Sequence, residues 1–546
     1  MPLSENWATL WEAVAAEQPE HVAVVIGNTE IRWQDLNQRA SRLAAALTSA
    51  SVEAGAKVAQ LMFNCPEYLE SSFASFKVRA STVNVNYRYK AREIAHVLAD
   101  SEAQVLIFHG SFAAVVAEAA TSLPKLLMLV QVEDGGEAPL LKGAVRYEQL
   151  IADHEPAAPI VRSGNDKLLL YTGGTTGPPK GVVWTHSDLF GALAFTGYAS
   201  MGIPVPETSA DVGRVAAELN AVGSSPVNMT APPLMHGTAL FLAMSTFVLG
   251  GTVVLLAGRR FDASELLRLV SREKVTQLSI VGDAFARPIV AELERAESER
   301  AESAAPYDLS SLGRIVSTGA TLSSTLKQGL MRWANRASVL DMIGASEGGP
   351  FAVAITAPGQ DPLATARFLA TPATVIFDPE TWQRIEPGSG VPGVLGASGP
   401  MPSGYYNDPV KTAATFRTID GVRYTVPGDY AIIDSDGTVQ LLGRGAACIN
   451  SGGEKVYPEE VEVAARTHPD IEDCIAVGIP DDRFGEIVTL VAARVAGRTV
   501  SSEDLIEHVK TQIASYKAPR QVVFVETVYR SPSGKLDYQW ARAQCA

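Results

Sequence analysis

The sequence predicts an α/β protein with a large multi-layer N-terminal domain on parallel and mixed sheets, followed by a small mobile α+β C-terminal domain. Three observations carry this. The chain has 546 residues, enough for several folding units at roughly 100–200 residues each. Short apolar runs ending in glycine, Lys167–Gly173 and Arg314–Gly319, read as buried strands, and helical patterns alternate with such runs. The composition then changes near Leu442. Beyond it lie two patterned strands, Cys474–Ile479 and Gln521–Glu526, with helices between. The expected division is 1–442, a hinge at 443–447, and 448–546.

The elements follow in order. The N-terminal run MPLSENWATL has no basic stretch followed by an apolar one, so no secretory leader is expected. The most apolar stretch, Thr246–Ala257, is shorter than the ~20 residues that span a bilayer. With Gly250 and Gly251 inside it, it reads as a buried strand–turn–strand, and no transmembrane segment is expected. Phe261–Glu265 opens a helix: Asp262 is placed to cap it and Glu265 to reach back. Leu266, Leu269 and Val270 form its apolar stripe. Ala291–Pro306, charged and repetitive, reads as an exposed helix end and surface loop.

Composition limits the partners. Apolar residues are 47% and charged residues 19%, ordinary for a soluble globular chain. The formal net charge of -15 argues against a nucleic-acid partner. An anionic substrate must then be held by local cations and backbone amides against the overall field. Cys65, Cys448, Cys474 and Cys545 form no C-x-x-C pair and read as reduced structural thiols of a cytoplasmic protein.

The strongest local signal is Tyr171–Val182, YTGGTTGPPKGV. A buried strand feeds a loop rich in glycine and threonine, with one lysine. Glycine lets backbone N–H groups close around phosphate oxygens; threonine hydroxyls add donors and Lys180 adds charge. A Walker A loop needs Gly before its lysine and Ser or Thr after it, whereas Pro179 and Gly181 stand there, which disfavours a P-loop kinase or ATPase. Taken alone, the loop is also compatible with a glycine-rich hairpin that binds nothing.

With its Pro-Lys-Gly ending, this loop resembles that of the adenylate-forming superfamily of acyl-CoA synthetases, firefly luciferase and nonribosomal-peptide adenylation domains. Further motifs follow in the family's order over nearly the whole chain. Ala231–Thr238 resembles the Pro-Leu-x-His segment, which places His236 between acyl pocket and thiol tunnel. Ser317–Ser324 resembles the adenine-cradling segment, where Gly319 and Ala320 match and Thr318 and Thr321 replace the usual Gly and Pro. Asp341–Pro350 resembles Tyr-Gly-x-Thr-Glu: Ser346 stands for the threonine, Glu347 for the magnesium ligand, and Ile343 where tyrosine is frequent. Tyr424–Tyr430 resembles Tyr-x-Thr-Gly-Asp, with Pro427 before the glycine and Asp429 as the ribose ligand. Gly443–Val463 resembles the hinge region, with Arg444 at ribose or phosphate and Ala446 where Asp or Lys is usual. Gly452, Gly453 and Lys455 match the loop that arrives for the thiol step. Ser531–Tyr538 resembles the terminal Ser-Gly-Lys motif, which makes Lys535 the adenylation lysine. Read without the resemblance, His236 is a packed core histidine and Glu347 a solvated loop carboxylate.

The resemblance implies an ATP-dependent acid–thiol ligase. A carboxylic acid becomes acyl-AMP with release of pyrophosphate, and coenzyme A takes the acyl group. The catalytic set is Lys535, Glu347, His236 and Thr176. The nucleotide and CoA set adds Thr172, Gly173, Gly174, Thr175, Gly177, Lys180, Gly319, Ala320, Ser346, Asp429, Arg444, Gly452, Gly453 and Lys455. The cofactors are ATP, CoA and Mg²⁺, the metal at Glu347; a second copy of the chain is a candidate partner. Residues 1–442 are then the AMP-binding and acyl-binding domain. Val83–Lys90, Ile280–Ile289, the GGEKVYPEE loop and SPSGK place the chain nearest the branch acting on fatty and steroid side-chain acids. The inferred pocket segments are mostly small and apolar, with Arg287 as the exception. Two other readings stay open: delivery of the acyl group to a carrier protein or other acceptor, and an inactive nucleotide-binding scaffold. The close of the chain at Ala546, without a carrier domain, favours free CoA. Joint retention of Lys180, Glu347, Asp429, Arg444 and Lys535 argues against the scaffold.

Overall fold

Apolar runs bounded by glycine become parallel strands, and the helices between them pack on both faces. The computed structural model describes residues 3–545 apart from 121–122, 124, 137, 173–177, 195–196, 300–306, 448, 452–453, 482–484, 514 and 531–535. At one edge of the largest sheet Thr29–Arg32 pairs antiparallel with Val22–Ile26, and parallel strands follow in the spatial order Val22–Ile26, Thr252–Leu255, Val227–Thr230, Gln277–Ile280, Arg314–Thr318 and Ser338–Ala345. It continues with antiparallel strands, among them Gly348–Thr356, Arg367–Ala370, Thr438–Arg444 and Asp429–Ile433. A second sheet holds Lys167–Thr172, Ser81–Asn84, Lys57–Leu61, Val105–His109, Met128–Val132 and Ala144–Arg146, all parallel. Its other edge is antiparallel: Lys180–Thr185 and then Gly404–Tyr405. A third sheet is drawn wholly from residues 449–525.

One apolar core joins the first two sheets. It includes Val58 and Ile107 of one, Val253 and Leu255 of the other, and the helices Trp7–Glu17, Trp33–Ser49, Pro66–Lys77 and Gly237–Val248 between them. Trp11 and Trp33 both meet the Phe247 ring edge-on, at 5.3 and 4.9 Å between centroids. Such pairs add about 0.5–1.5 kcal/mol beyond the area they bury.

The structure corrects two local expectations and adds two details. Thr246–Ala257 is the end of the helix Gly237–Val248, a glycine turn, and the strand Thr252–Leu255. That helix is enclosed by both sheets, so its sequence lacks the polar face that would have marked it as helical. Asp262 does cap the helix Ala263–Arg272, but Glu265 accepts a hydrogen bond from the Ala257 N–H at 3.2 Å instead of reaching back. Arg287 pairs with Asp283 one turn away on its own helix. The third sheet has a further long strand, Gly485–Arg494, between and hydrogen-bonded to both strands legible in the sequence. Most of that strand is buried, so it shows no alternation. No described helix is long and apolar enough to cross a membrane. Cys65, Cys474 and Cys545 are free thiols.

Two buried histidines are held neutral. Nδ1 of His186 accepts the Trp7 N–H at 3.1 Å, and Nδ1 of His109 accepts the Phe63 N–H at 3.0 Å. Burial pushes both imidazoles from the ordinary 6.5 down to about 4. The neutral form is the folded form. Its contribution is full above pH 6.5 and is lost as pH falls toward 4, because the unfolded chain takes up these protons first. The thermal midpoint should therefore drop across that window. His186→Asn, which keeps an acceptor for Trp7 but does not titrate, should weaken the dependence and leave the part due to His109; calorimetry at steps through the window checks this.

Candidate active site

The site begins where the second sheet reverses. Lys167–Thr172 and Lys180–Thr185 pair antiparallel, with Thr172 opposite Lys180. The intervening Gly173, Gly174, Thr175, Thr176 and Gly177 lie outside the described residues. Lys180 forms an ion pair with the Asp408 carboxylate. The partners are 35% and 21% exposed, so this is a surface-type pair, worth about 0–1 kcal/mol and readily exchanged for another anion. The lysine holds the Asp408 carboxyl below its usual range.

Glu347 sits in the turn between the strands Ser338–Ala345 and Gly348–Thr356 and is buried. Its Oε1 accepts from the Tyr405 hydroxyl at 2.5 Å, and its carbonyl accepts from Thr425 Oγ1 at 2.7 Å. The carbonyl of Ser346 accepts from Trp184 Nε1 at 3.0 Å, which ties this turn to the strand carrying Lys180. Ile343 is buried with Phe351, Phe368 and Leu395 and is unavailable to stack on a base.

Gly319 and Ala320 follow the strand Arg314–Thr318. Ser317 Oγ accepts from the Gly282 N–H at 3.2 Å, so the start of the helix Gly282–Ser298 packs on this turn. His236 is the N-cap residue of the helix Gly237–Val248 and is partly buried. Buried Asn84, which sequence reasoning did not single out, connects its segment to the strand Lys167–Thr172. Its Nδ2 donates to the carbonyls of Met235 at 2.7 Å and Tyr171 at 2.9 Å, and its Oδ1 accepts the Tyr171 N–H at 2.6 Å.

Asp429 faces Arg444 across the antiparallel strands Asp429–Ile433 and Thr438–Arg444. Just beyond, Gly443 has φ +96°, and a Cβ there would lie 1.6 Å from the Glu459 carboxylate. The helix Pro458–Arg466 thus closes directly on glycine backbone. Gly445–Ala447 is a short 3₁₀ turn, and Asn450 faces Lys455 in a hairpin beyond it. Gly452 and Gly453 lie outside the described residues, as does Lys535, although Arg530 and Leu536 bridge antiparallel on either side of its segment. The side chains of Arg444, Ala446 and Lys455 are not described.

The donor set fits Mg²⁺. A buried carboxylate is a hard oxygen ligand, and no three Asp, Glu, His or Cys side chains converge among the described residues. One or two carboxylates completed by phosphate oxygens is the usual arrangement for this ion.

The hairpin bearing Lys180, the buried Glu347 carboxylate and Asp429 opposite Arg444 are the parts to set beside known proteins. The AMP-binding enzyme model matches residues 11–406 and the AMP-binding enzyme C-terminal domain residues 460–535; the chain belongs to this family. It is 39% identical to the medium-chain acyl-CoA ligase Mig of Mycobacterium avium over 98% of this chain and 97% of that protein. It is 38% identical to a 3-oxocholest-4-en-26-oate–CoA ligase of Rhodococcus rhodochrous, over 99% and 96%. An anthranilate CoA ligase crystallised with anthranoyl-AMP shares the fold with a TM-score of 0.82 at 22% identity, covering 100% of this chain and 98% of that one.

Two glycines in the site differ in a testable way. Gly282 has φ +51°, and a Cβ there would lie 2.3 Å from the Thr321 carbonyl oxygen. Gly319 has φ +88°, but its nearest neighbour would be 3.7 Å away. Either alanine costs about 1–3 kcal/mol for left-handed backbone. Only Gly282→Ala adds overlap with backbone, about 1–3 kcal/mol more. Gly282→Ala should therefore lower the thermal midpoint further than Gly319→Ala, as read by calorimetry.

Proposed function

We propose that this AMP-forming acyl-CoA ligase activates a hydrophobic acid, either a medium-to-long fatty acid or a steroid side-chain acid, in the cytoplasm. The full-length likeness to ligases named for medium-chain acyl groups and 3-oxocholest-4-en-26-oate supports that class. So does the pairing of Arg287 with Asp283, which leaves the small apolar pocket segments without an evident partner for a second carboxylate.

The observation that carries the mechanism is the joining of Lys180, Glu347 and Asp408 around one hairpin. A carboxylate oxygen of the acid attacks the α-phosphorus of ATP, and the bond to pyrophosphate breaks. Both reactants are anionic, so alignment and charge cancellation lower the barrier. We assign Lys180, Thr175 and Thr176 to the β- and γ-phosphates, Asp429 and Arg444 to the ribose side, and Gly319 and Ala320 to adenine. Mg²⁺, when held at Glu347, neutralises phosphate charge. Lys535 bridges the attacking carboxylate and the α-phosphate. The 443–447 segment then turns the C-terminal unit, the Gly452–Lys455 loop replaces Lys535, and His236 lines the approach of the thiol. The CoA sulfur attacks the acyl carbon, its proton leaves to solvent, and AMP departs.

Burying each CH₂ should contribute about 0.8 kcal/mol, so catalytic efficiency should rise several-fold per methylene until the pocket is full. A panel of acids assayed by pyrophosphate release tests this; highest efficiency with acetate or propionate would refute it.

Lys535→Ala should lose acyl-AMP formation by about 10²–10³ while still converting supplied acyl-AMP and CoA to thioester. Ala446→Pro, which fixes φ near roughly -65°, should do the reverse. Single-turnover assays of each half-reaction decide it, and equal loss of both steps in both variants would sink the division of labour.

Asp408→Asn should tighten ATP binding up to about five-fold, because Lys180 loses its resting counter-ion. The cap is kept, since Asp408 Oδ1 accepts the Lys411 N–H at 2.8 Å and an asparagine oxygen can do the same. Calorimetric titration with ATP at low and high salt is the check, with the gain shrinking as salt rises.

A further inference from the structure

Glu347 is fixed at both ends. Thr425 Oγ1 holds its carbonyl, and the Tyr405 hydroxyl holds its carboxylate at 2.5 Å. Gly348, at φ +141°, presses against Thr425, with an added Cβ only 2.8 Å from its methyl group. The turn therefore has little freedom except at the carboxylate, which Tyr405 removes.

Tyr405 is itself strongly placed. It is 7% exposed. Its N–H donates to Thr412 Oγ1 at 2.8 Å, and it pairs in register with Val182, two residues after Lys180. Gly404, at φ +152°, lets this short strand lie against the helix Pro409–Thr415, where a Cβ would come 2.5 Å from Thr412. The Lys411 ammonium sits 4.4 Å from the Tyr405 ring centroid, a position that draws electron density from the phenol and strengthens its O–H as a donor. Three residues on, Asp408 takes Lys180.

We infer that Tyr405 is a positioning residue for the metal carboxylate, orienting Glu347 toward Mg²⁺ in fixed register with the phosphate lysine. A phenol donating to one carboxylate oxygen restricts rotation about the last side-chain bond and biases which oxygen faces the ion. Outer hydrogen bonds of this kind typically change metal affinity by about 10–100-fold. The inference rests on the assignment of Glu347 as the Mg²⁺ ligand, and the experiment separates the two.

ATP binding to the full-length protein is titrated calorimetrically at a series of Mg²⁺ concentrations for the parent, Tyr405→Phe and Glu347→Gln, with thermal midpoints alongside. Tyr405→Phe should raise the Mg²⁺ concentration for half-maximal ATP binding about ten-fold. At saturating Mg²⁺ its ATP affinity should return to the parent value, which a general loosening of the fold would not produce. Glu347→Gln should shift the Mg²⁺ dependence at least as far. A normal Mg²⁺ dependence in Tyr405→Phe beside a shifted one in Glu347→Gln overturns the role of Tyr405 alone. A normal dependence in both overturns the metal assignment and this inference with it. A Tyr405→Phe chain that fails to fold, or loses only thermal stability, makes the hydroxyl structural and also overturns it.

Discussion

One strand, Lys180–Thr185, sets the geometry on which the rest of the site depends. Its first residue is Lys180, paired with Asp408. Val182 and Val183 fix the register of Tyr405 and Gly404. Trp184 reaches across to the Ser346 carbonyl, and Thr185 caps the following helix by accepting the Asp188 N–H at 3.0 Å. Four successive contacts from one extended segment leave it no freedom to slip, since a one-residue shift would turn every side chain to the other face. The strand runs antiparallel to Lys167–Thr172 beside an otherwise parallel array, so the two are joined by a short hairpin connection instead of a crossover helix.

Local charge answers the global field in the same place. The chain carries -15 overall, yet Lys180 and the backbone N–H of Lys411 both meet Asp408 at this hairpin. The Asp408 carboxylate neutralises Lys180 in the free protein at small energetic cost, because both groups remain partly exposed. A deeply buried pair would have been harder to exchange for phosphate.

The sequence made the parallel strands legible because buried strands of β-branched and aliphatic residues end abruptly at glycine, as at Lys167–Gly173 and Arg314–Gly319. It also made the order of the motifs legible, since phosphate, metal and ribose each demand particular side chains. What it hid was of two kinds. The helix Gly237–Val248 and the strand Gly485–Arg494 are enclosed on nearly all sides, so neither carries a polar face to reveal its period. Tyr405, Asp408 and Asn84 act on residues up to 228 positions away, as Asp408 does on Lys180. Asp408 caps the helix Pro409–Thr415 with one oxygen, and nothing local announces the partner its second oxygen holds.

The aromatic core has a consequence in time. The helix Trp7–Glu17 is among the first segments to be synthesised, yet Trp11 packs on Phe247 as well as on Phe73 and Phe76. At roughly 5–20 residues per second, Phe247 is made on the order of ten to fifty seconds after the helix that needs it. For that interval two tryptophans, Trp7 and Trp11, have no complete core to enter. Until then the apolar face of this helix has only its early partners, Phe73 and Phe76, to pack on, an exposure during synthesis that the finished enzyme no longer shows.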